Sequence, residues 1–203
     1  VMIDINSLTI GEAKQLAALF TSANPATTTA WEIGECYLIR TVTMIDTGLN
    51  TMTGGRLRRV LPYLKGETFL LTYGDGVTDS DINASIKFHL KQKKILTMTA
   101  VQPPGRFGDL EIVDGKVMAF REKPERQAAF INGGFFVVAP GSKKYLGESD
   151  GCVFENEPMN TLATEQQIAA YQHTGFWQCM DTYREQQLLT GLWNSGKAPW
   201  KVW

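Results

Sequence analysis

Phe69-Leu70-Leu71-Thr72 runs directly into Tyr73-Gly74-Asp75-Gly76, and this junction constrains the fold more than any other stretch. A short apolar run bounded by glycine reads as a buried strand. An aspartate between two glycines then sits where the strand leaves its sheet. Open α/β sheets bind ligands at the carboxyl ends of their strands. Glycine there lets backbone approach a bulky ligand. The carboxylate offers hard oxygen to Mg²⁺, which is commonly held by carboxylates together with substrate phosphates. Gly-Asp-Gly also suits a plain turn on backbone grounds, so the local signal leaves turn and ligand site both open.

At 203 residues, the length suits one α/β domain or a core with a small appendage. Hydrophobic residues make up 43% and charged residues 20%, which is ordinary globular composition with enough apolar surface for a sizeable core. The formal net charge of −1 gives the whole chain no nucleic-acid signature. Cys36, Cys152 and Cys179 show no C-x-x-C spacing and no metal-ligand cluster, which points to a reducing cytoplasm. No apolar run is long enough to span a bilayer, and no basic segment leads into an apolar core at the start. A soluble, cytoplasmic protein with no membrane and no nucleic-acid partner is expected.

Residues 1–40 differ from the rest. Thr9-Ile10-Gly11-Glu12 resembles a capping box, and Ile10, Ala13, Leu16, Ala17 and Phe20 recur at helical spacing. The polar stretch from Thr21 to Ala30 reads as linker. A helix and linker over 1–40 and a principal domain over 41–203 follow. In that domain the pattern predicts a strand over Val42–Ile45, a helix over Gly55–Leu64 and a strand over Phe69–Tyr73. It predicts a helix capped by Asp79 or Ser80 that buries Ile82, Ile86 and Leu90, then a strand over Ile95–Val101. Asp114-Gly115 between Leu110–Val113 and Lys116–Phe120 is a hairpin signal, because a type I′ turn needs positive φ at both central residues. A strand over Gly134–Val138 and a helix over Met159–Tyr171 are next. Thr182-x-x-Glu185 opens a last helix that buries Leu188, Leu189, Leu192 and Trp193 and stops at Gly196. Strands mixed with helices and an antiparallel hairpin give an α/β fold with a mixed sheet.

Several further groups carry two readings each. Glu122-Lys123-Pro124 follows the hairpin; it is either a solvated strand end or an ammonium positioned for a phosphate beside a carboxylate suited to sugar hydroxyls. Asn132-Gly133-Gly134 is a β-bulge or a close backbone approach to a ligand. Thr53-Gly54-Gly55-Arg56 is a glycine-rich loop capping a helix, or backbone amides and a guanidinium facing a ligand. It lacks the Walker spacing of a P-loop. Asp181 is an N-cap or first-turn acid, or a second carboxylate on the metal of Asp75. His89 and His173 lack partners at catalytic spacing and read as structural.

Taken in order, these motifs resemble the glucose-1-phosphate cytidylyltransferases. The resemblance runs from about Val42 to Trp203. It rests on Asp46-Thr47-Gly48, Met52-Thr53-Gly54-Gly55-Arg56-Leu57, Tyr73-Gly74-Asp75-Gly76-Val77, Pro103-Pro104-Gly105-Arg106-Phe107-Gly108, Glu122-Lys123-Pro124, Ile131-Asn132-Gly133-Gly134-Phe135-Phe136, Phe176-Trp177-Gln178 and Met180-Asp181-Thr182. It implies a Rossmann-like sugar-nucleotidyltransferase fold and the conversion of CTP and α-D-glucose 1-phosphate to CDP-glucose and pyrophosphate. Asp75 and Asp181 then resemble ligands of a Mg²⁺ cofactor, with Gly74 beside them. Lys123 resembles the lysine on the sugar phosphate. Glu122, Asn132, Gly133 and Gly108 resemble sugar contacts, and Thr53, Gly55 and Arg56 lie where such enzymes recognise cytosine. Lys123 and Asp75 would carry the catalysis. The sugar phosphate is its own nucleophile, which agrees with the lack of any Ser/His or Cys/His arrangement.

Residues 1–40 do not resemble the start of such enzymes, which opens with a strand and a Gly-Gly-x-Gly-Thr-Arg loop. Cys179 also stands where a proline is usual. A fold lacking that first strand and loop is therefore expected, as in a fragment, a fusion or a gene-model error, with poor turnover of CTP or none. An uncovered sheet edge or apolar face then favours a homo-oligomer. A non-catalytic relative that binds sugar phosphate is the alternative, and a guanylyl- or thymidylyltransferase a more distant one.

Overall fold

The structure, a computed structural model, describes residues 2–4, 45–103, 109–121 and 129–201. Its centre is a five-stranded mixed sheet in the order β1-β2-β7-β4-β8. The strands are β1 (Met2–Asp4), β2 (Phe69–Thr72), β7 (Ile131–Val138), β4 (Leu96–Val101) and β8 (Ile168–His173). All neighbours run antiparallel except β4 and β8, which are parallel. β4 is buried along almost its whole length, as a strand covered on both faces must be.

The two faces are closed by different helices. On one, Phe69, Leu96, Phe136 and Val138 pack with Leu57, Leu64, Phe154, Met159 and Leu162. Leu57 comes from α1 (Thr53–Val60), which runs into a 3₁₀ turn at Leu61–Leu64, and Met159 and Leu162 come from α3 (Glu157–Thr164). Residues alternate across a strand, so Thr97 faces the other way. There it meets α2 (Ile82–Gln92) through a 2.8 Å hydrogen bond to His89 Nδ1. His89, read as structural, is 3% exposed.

Two small sheets complete the fold. The hairpin of β5 (Asp109–Val113) and β6 (Lys116–Arg121) turns at Asp114 and Gly115 with φ of 48° and 74°, the type I′ geometry expected. β3 (Gly76–Thr78) pairs antiparallel with β9 (Trp177–Cys179). α4 (Tyr183–Asn194) follows, opened by a complete Thr182–Glu185 capping box and closed at Gly196 with φ 69°.

Four expectations need correction. Met159–Tyr171 is not one helix: α3 ends at Thr164, Gln166 takes φ 54°, and Ile168–His173 becomes β8. The cap of α2 is Asp81, whose Oδ1 accepts from Ala84 N at 3.1 Å. α2 buries Ser85 and His89, while Leu90 is exposed. α4 buries only Leu189 fully and leaves Leu188 and Trp193 exposed. Residues 2–4 form a short strand ahead of the expected helix; the helix over Thr9–Phe20, the linker and Val42–Met44 lie outside the described residues. Among the described residues no helix is long and apolar enough to cross a membrane.

Candidate active site

β2 ends at Thr72, and Tyr73 keeps the ladder going by donating its N–H to Gly134 O at 3.0 Å. The chain then leaves the sheet through Gly74 and Asp75 into β3. Because β3 pairs with β9, Asp75 lies opposite the start of the Met180-Asp181 segment: Met180 N donates to Asp75 O at 2.8 Å. This ladder brings together two acids 106 positions apart in sequence. Trp177 Nε1 donates to Gly133 O at 2.8 Å and ties β9 to β7.

The result is a cleft of about 360 Å³. Tyr73, Asp75, Asn132, Gly133, Cys179 and Asp181 all contribute to its walls. Both aspartates are exposed. Cys179, Asp181 and Glu185 carry donor atoms within 4.8 Å of one another. Asp181 is not the cap of α4; Thr182 is, and Glu185 Oε2 accepts from both Asp181 N and Thr182 N at 2.9 Å. The capping box therefore also anchors the backbone of Asp181.

The glycines of the floor are required by the protein itself. β7 bulges against β4 here, with the register shifting between Met98 and Ala100. Gly133 and Gly134 are both buried. A Cβ on Gly133 would lie 2.9 Å from Thr99 O, and one on Gly134 2.8 Å from Tyr73 Cδ2. Gly74 is different: a Cβ there would meet nothing within 4 Å. The Asn132 side chain closes the bulge, its Oδ1 accepting from Gly134 N at 2.9 Å.

Thr53, Gly55 and Arg56 lie at the start of α1 and do not line this cleft. Gly55 packs so closely that a Cβ would approach Asp150 O to 2.9 Å. Arg56 donates to Thr47 Oγ1 at 2.7 Å and Leu49 O at 3.1 Å, holding the preceding loop. Thr53 is joined to the cleft by a residue that sequence reasoning missed. Glu155 accepts from Thr53 Oγ1 at 2.6 Å and from the Tyr73 hydroxyl at 2.5 Å. Burial first, and then Glu155, push the Tyr73 phenol well above the usual tyrosine range. No motif marks Glu155; an isolated glutamate in Phe154-Glu155-Asn156-Glu157 carries no local signal. His173 also has a partner, Asp79, at 2.9 Å. Gly108, Glu122 and Lys123 lie outside the described residues.

The chain is similar to several known proteins. The glucose-1-phosphate cytidylyltransferases of Salmonella typhi and Salmonella typhimurium strain LT2 are each 54% identical over 163 residues, covering 80% of this chain. The chain spans 63% of the length of these curated relatives. A crystal structure of UDP-glucose pyrophosphorylase complexed with UDP-glucose superposes with a TM-score of 0.52 at 14% identity, covering 74% of this chain and 64% of that one. At that identity the likeness speaks to fold alone, and it is the Rossmann-like α/β fold with a mixed sheet. A nucleotidyl transferase family model matches residues 41–182, and the chain belongs to that family.

Proposed function

We propose that this protein transfers the cytidylyl group of CTP to α-D-glucose 1-phosphate, giving CDP-glucose and pyrophosphate. The observation that carries the reading is 54% identity to two glucose-1-phosphate cytidylyltransferases, in a chain whose Asp75 and Asp181 line one cleft.

Exposed carboxylates on one cleft are the hard-oxygen donors that suit Mg²⁺, so Asp75 and Asp181 would hold it. The Cys179 sulfur in the same wall is a softer donor and falls outside that set. When bound, the ion would supply charge neutralisation at the phosphates. The chain's own residues do the positioning. Lys123, by resemblance, grips the sugar phosphate as a point charge. Glu122, Gly108, Asn132 and Gly133 meet the sugar, with Gly74 leaving room beside Asp75. Thr53, Gly55 and Arg56 form the base side, Arg56 acting through the loop it holds. A phosphate oxygen of glucose 1-phosphate attacks the α-phosphorus of CTP, the bond to the β-phosphate oxygen breaks, and pyrophosphate leaves. Such chemistry depends on alignment and charge compensation more than on any protein nucleophile.

Among the described residues, Cys152 and Cys179 form no disulfide, which supports a cytoplasmic setting. Exposed Ile112, Val113, Val117 and Met118 on the hairpin support a homo-oligomer. The test of the reaction is pyrophosphate release with each nucleoside triphosphate and glucose 1-phosphate. Release with CTP in clear preference is expected. Preference for GTP or dTTP would overturn the base assignment, and no release with any triphosphate together with no binding of glucose 1-phosphate would overturn the reaction.

A further inference from the structure

We infer that Glu155 is a positioning residue that acts through Tyr73 to fix the Asn132 amide as a hydrogen-bond donor to the cleft, so that this wall selects an acceptor oxygen of a sugar phosphate. The sugar-phosphate part rests on the proposed function; the hydrogen-bond order stands apart from it.

The order follows from what each group can donate. An ionised carboxylate only accepts. Glu155 Oε2 takes the hydroxyl of Thr53 at 2.6 Å, and Thr53 Oγ1 itself accepts from Phe154 N at 2.9 Å. The single hydroxyl proton of Thr53 is thus committed to Glu155. Glu155 Oε1 takes the single proton of Tyr73 at 2.5 Å. The phenol oxygen can then only accept, and the donor that reaches it is Asn132 Nδ2 at 3.3 Å. At its other end, Asn132 Oδ1 accepts from Gly134 N at 2.9 Å. A flipped amide would set its oxygen against the Tyr73 oxygen, two acceptors, and its NH₂ against Gly134 N–H, two donors, so both neighbours demand one orientation.

Asn132 Nδ2 carries two hydrogens, and Tyr73 uses one. The other has no partner among the described residues, and Asn132 and Tyr73 both line the cleft. Glu155 does not line it. Its influence reaches the ligand only by setting which way the phenol proton points.

The proposal is tested by substituting Glu155→Gln, which keeps size but replaces one acceptor by a donor. Dissociation constants would be measured calorimetrically for α-D-glucose 1-phosphate and its monodeoxy analogues, in the 203-residue chain with Mg²⁺. A neutral hydrogen bond is worth roughly a factor of ten in affinity. The unsubstituted protein should discriminate by about that factor against the analogue lacking the oxygen that meets Asn132. Glu155→Gln should reduce the ratio to below about threefold. Tyr73→Phe, which removes only the hydroxyl, should do the same, and the double variant should lose no more than either single one. Retention of full discrimination in both single variants overturns the proposal.

A second readout separates it from the proposed function. With ¹⁵N-labelled protein free of ligand, one of the two Asn132 side-chain amide protons, the one held by the Tyr73 oxygen, should exchange more slowly than the other, and Glu155→Gln should remove that difference. If the unsubstituted chain bound no sugar phosphate, the functional reading would fall while this exchange still decided the hydrogen-bond order; an unchanged difference in Glu155→Gln overturns that order.

Discussion

The acids and glycines of the cleft do different work, and single substitutions separate them. Gly134 holds φ at +78°, and a Cβ there would meet the Tyr73 ring at 2.8 Å. Left-handed backbone costs an L-residue about 1–2 kcal/mol, to which displacement of the ring adds. Gly134→Ala should therefore lower the unfolding free energy by about 2–3 kcal/mol in urea titrations. Gly74→Ala should stay within about 0.5 kcal/mol of the parent, because its surroundings are open. Equal losses at both positions would show that neither the positive φ of Gly134 nor its ring contact sets the requirement. For the acids the expectation is reversed. Asp75 and Asp181 are exposed, so Asp75→Asn or Asp181→Asn should leave metal-free stability nearly unchanged. Either one alone should weaken Mg²⁺ binding by about tenfold or more by calorimetry. Retained Mg²⁺ affinity in both variants would remove these residues from the metal site. Asp75 was legible because it stands at a strand exit between glycines. Asp181 was legible only as one of two things, since what pairs it with Asp75 is the long-range β3–β9 ladder.

At the scale of elements, the signals that read correctly are local. The Asp114-Gly115 turn and the Thr182–Glu185 box are each written within a few residues, and both form as read. The misreadings share a different cause, which is tertiary. β8 follows α3 with apolar residues still near helical spacing, and only its parallel pairing with β4 makes it a strand. Asp79 is drawn away from capping because its Oδ1 accepts from Phe176 N at 2.8 Å and meets His173 Nε2 at 2.9 Å. The capping box has a consequence beyond helix stability, since Glu185 Oε2 holds the backbone N–H of both Asp181 and Thr182. Thr182→Ala removes the acceptor for Glu185 N and should cost about 1 kcal/mol. Glu185→Ala frees Asp181 as well. It should therefore weaken Mg²⁺ binding at least several-fold more than Thr182→Ala does, in calorimetric titrations of the two variants side by side. Equal effects on Mg²⁺ would mean that Asp181 is placed by the β3–β9 ladder alone.

Across the whole molecule, a sheet covered on both faces must seal two interfaces, and they are not chemically alike. The face toward α1 and α3 is closed by aromatic and aliphatic side chains. The face toward α2 includes a polar seam, where His89 Nδ1 and Thr97 Oγ1 meet at 2.8 Å and are 3% and 0% exposed. Burial pushes the His89 pKa below its ordinary value of 6.5, so the folded protein holds the neutral ring where the unfolded chain would already bind a proton. The unfolded state then carries more protons than the folded state below about pH 6.5. The corresponding stability is fully present above that pH and is lost as pH falls toward the folded-state value. One proton limits the slope to about 1.4 kcal/mol per pH unit. His89→Asn, which keeps a polar atom near the Nδ1 position without a titrating ring, should lower stability at neutral pH. It should also flatten the dependence below about pH 6.5, read from urea unfolding at a series of pH values. If the variant kept the slope of the parent, the acid sensitivity would belong to groups outside this seam, and the α2 face would be set by packing and not by the charge state of one histidine.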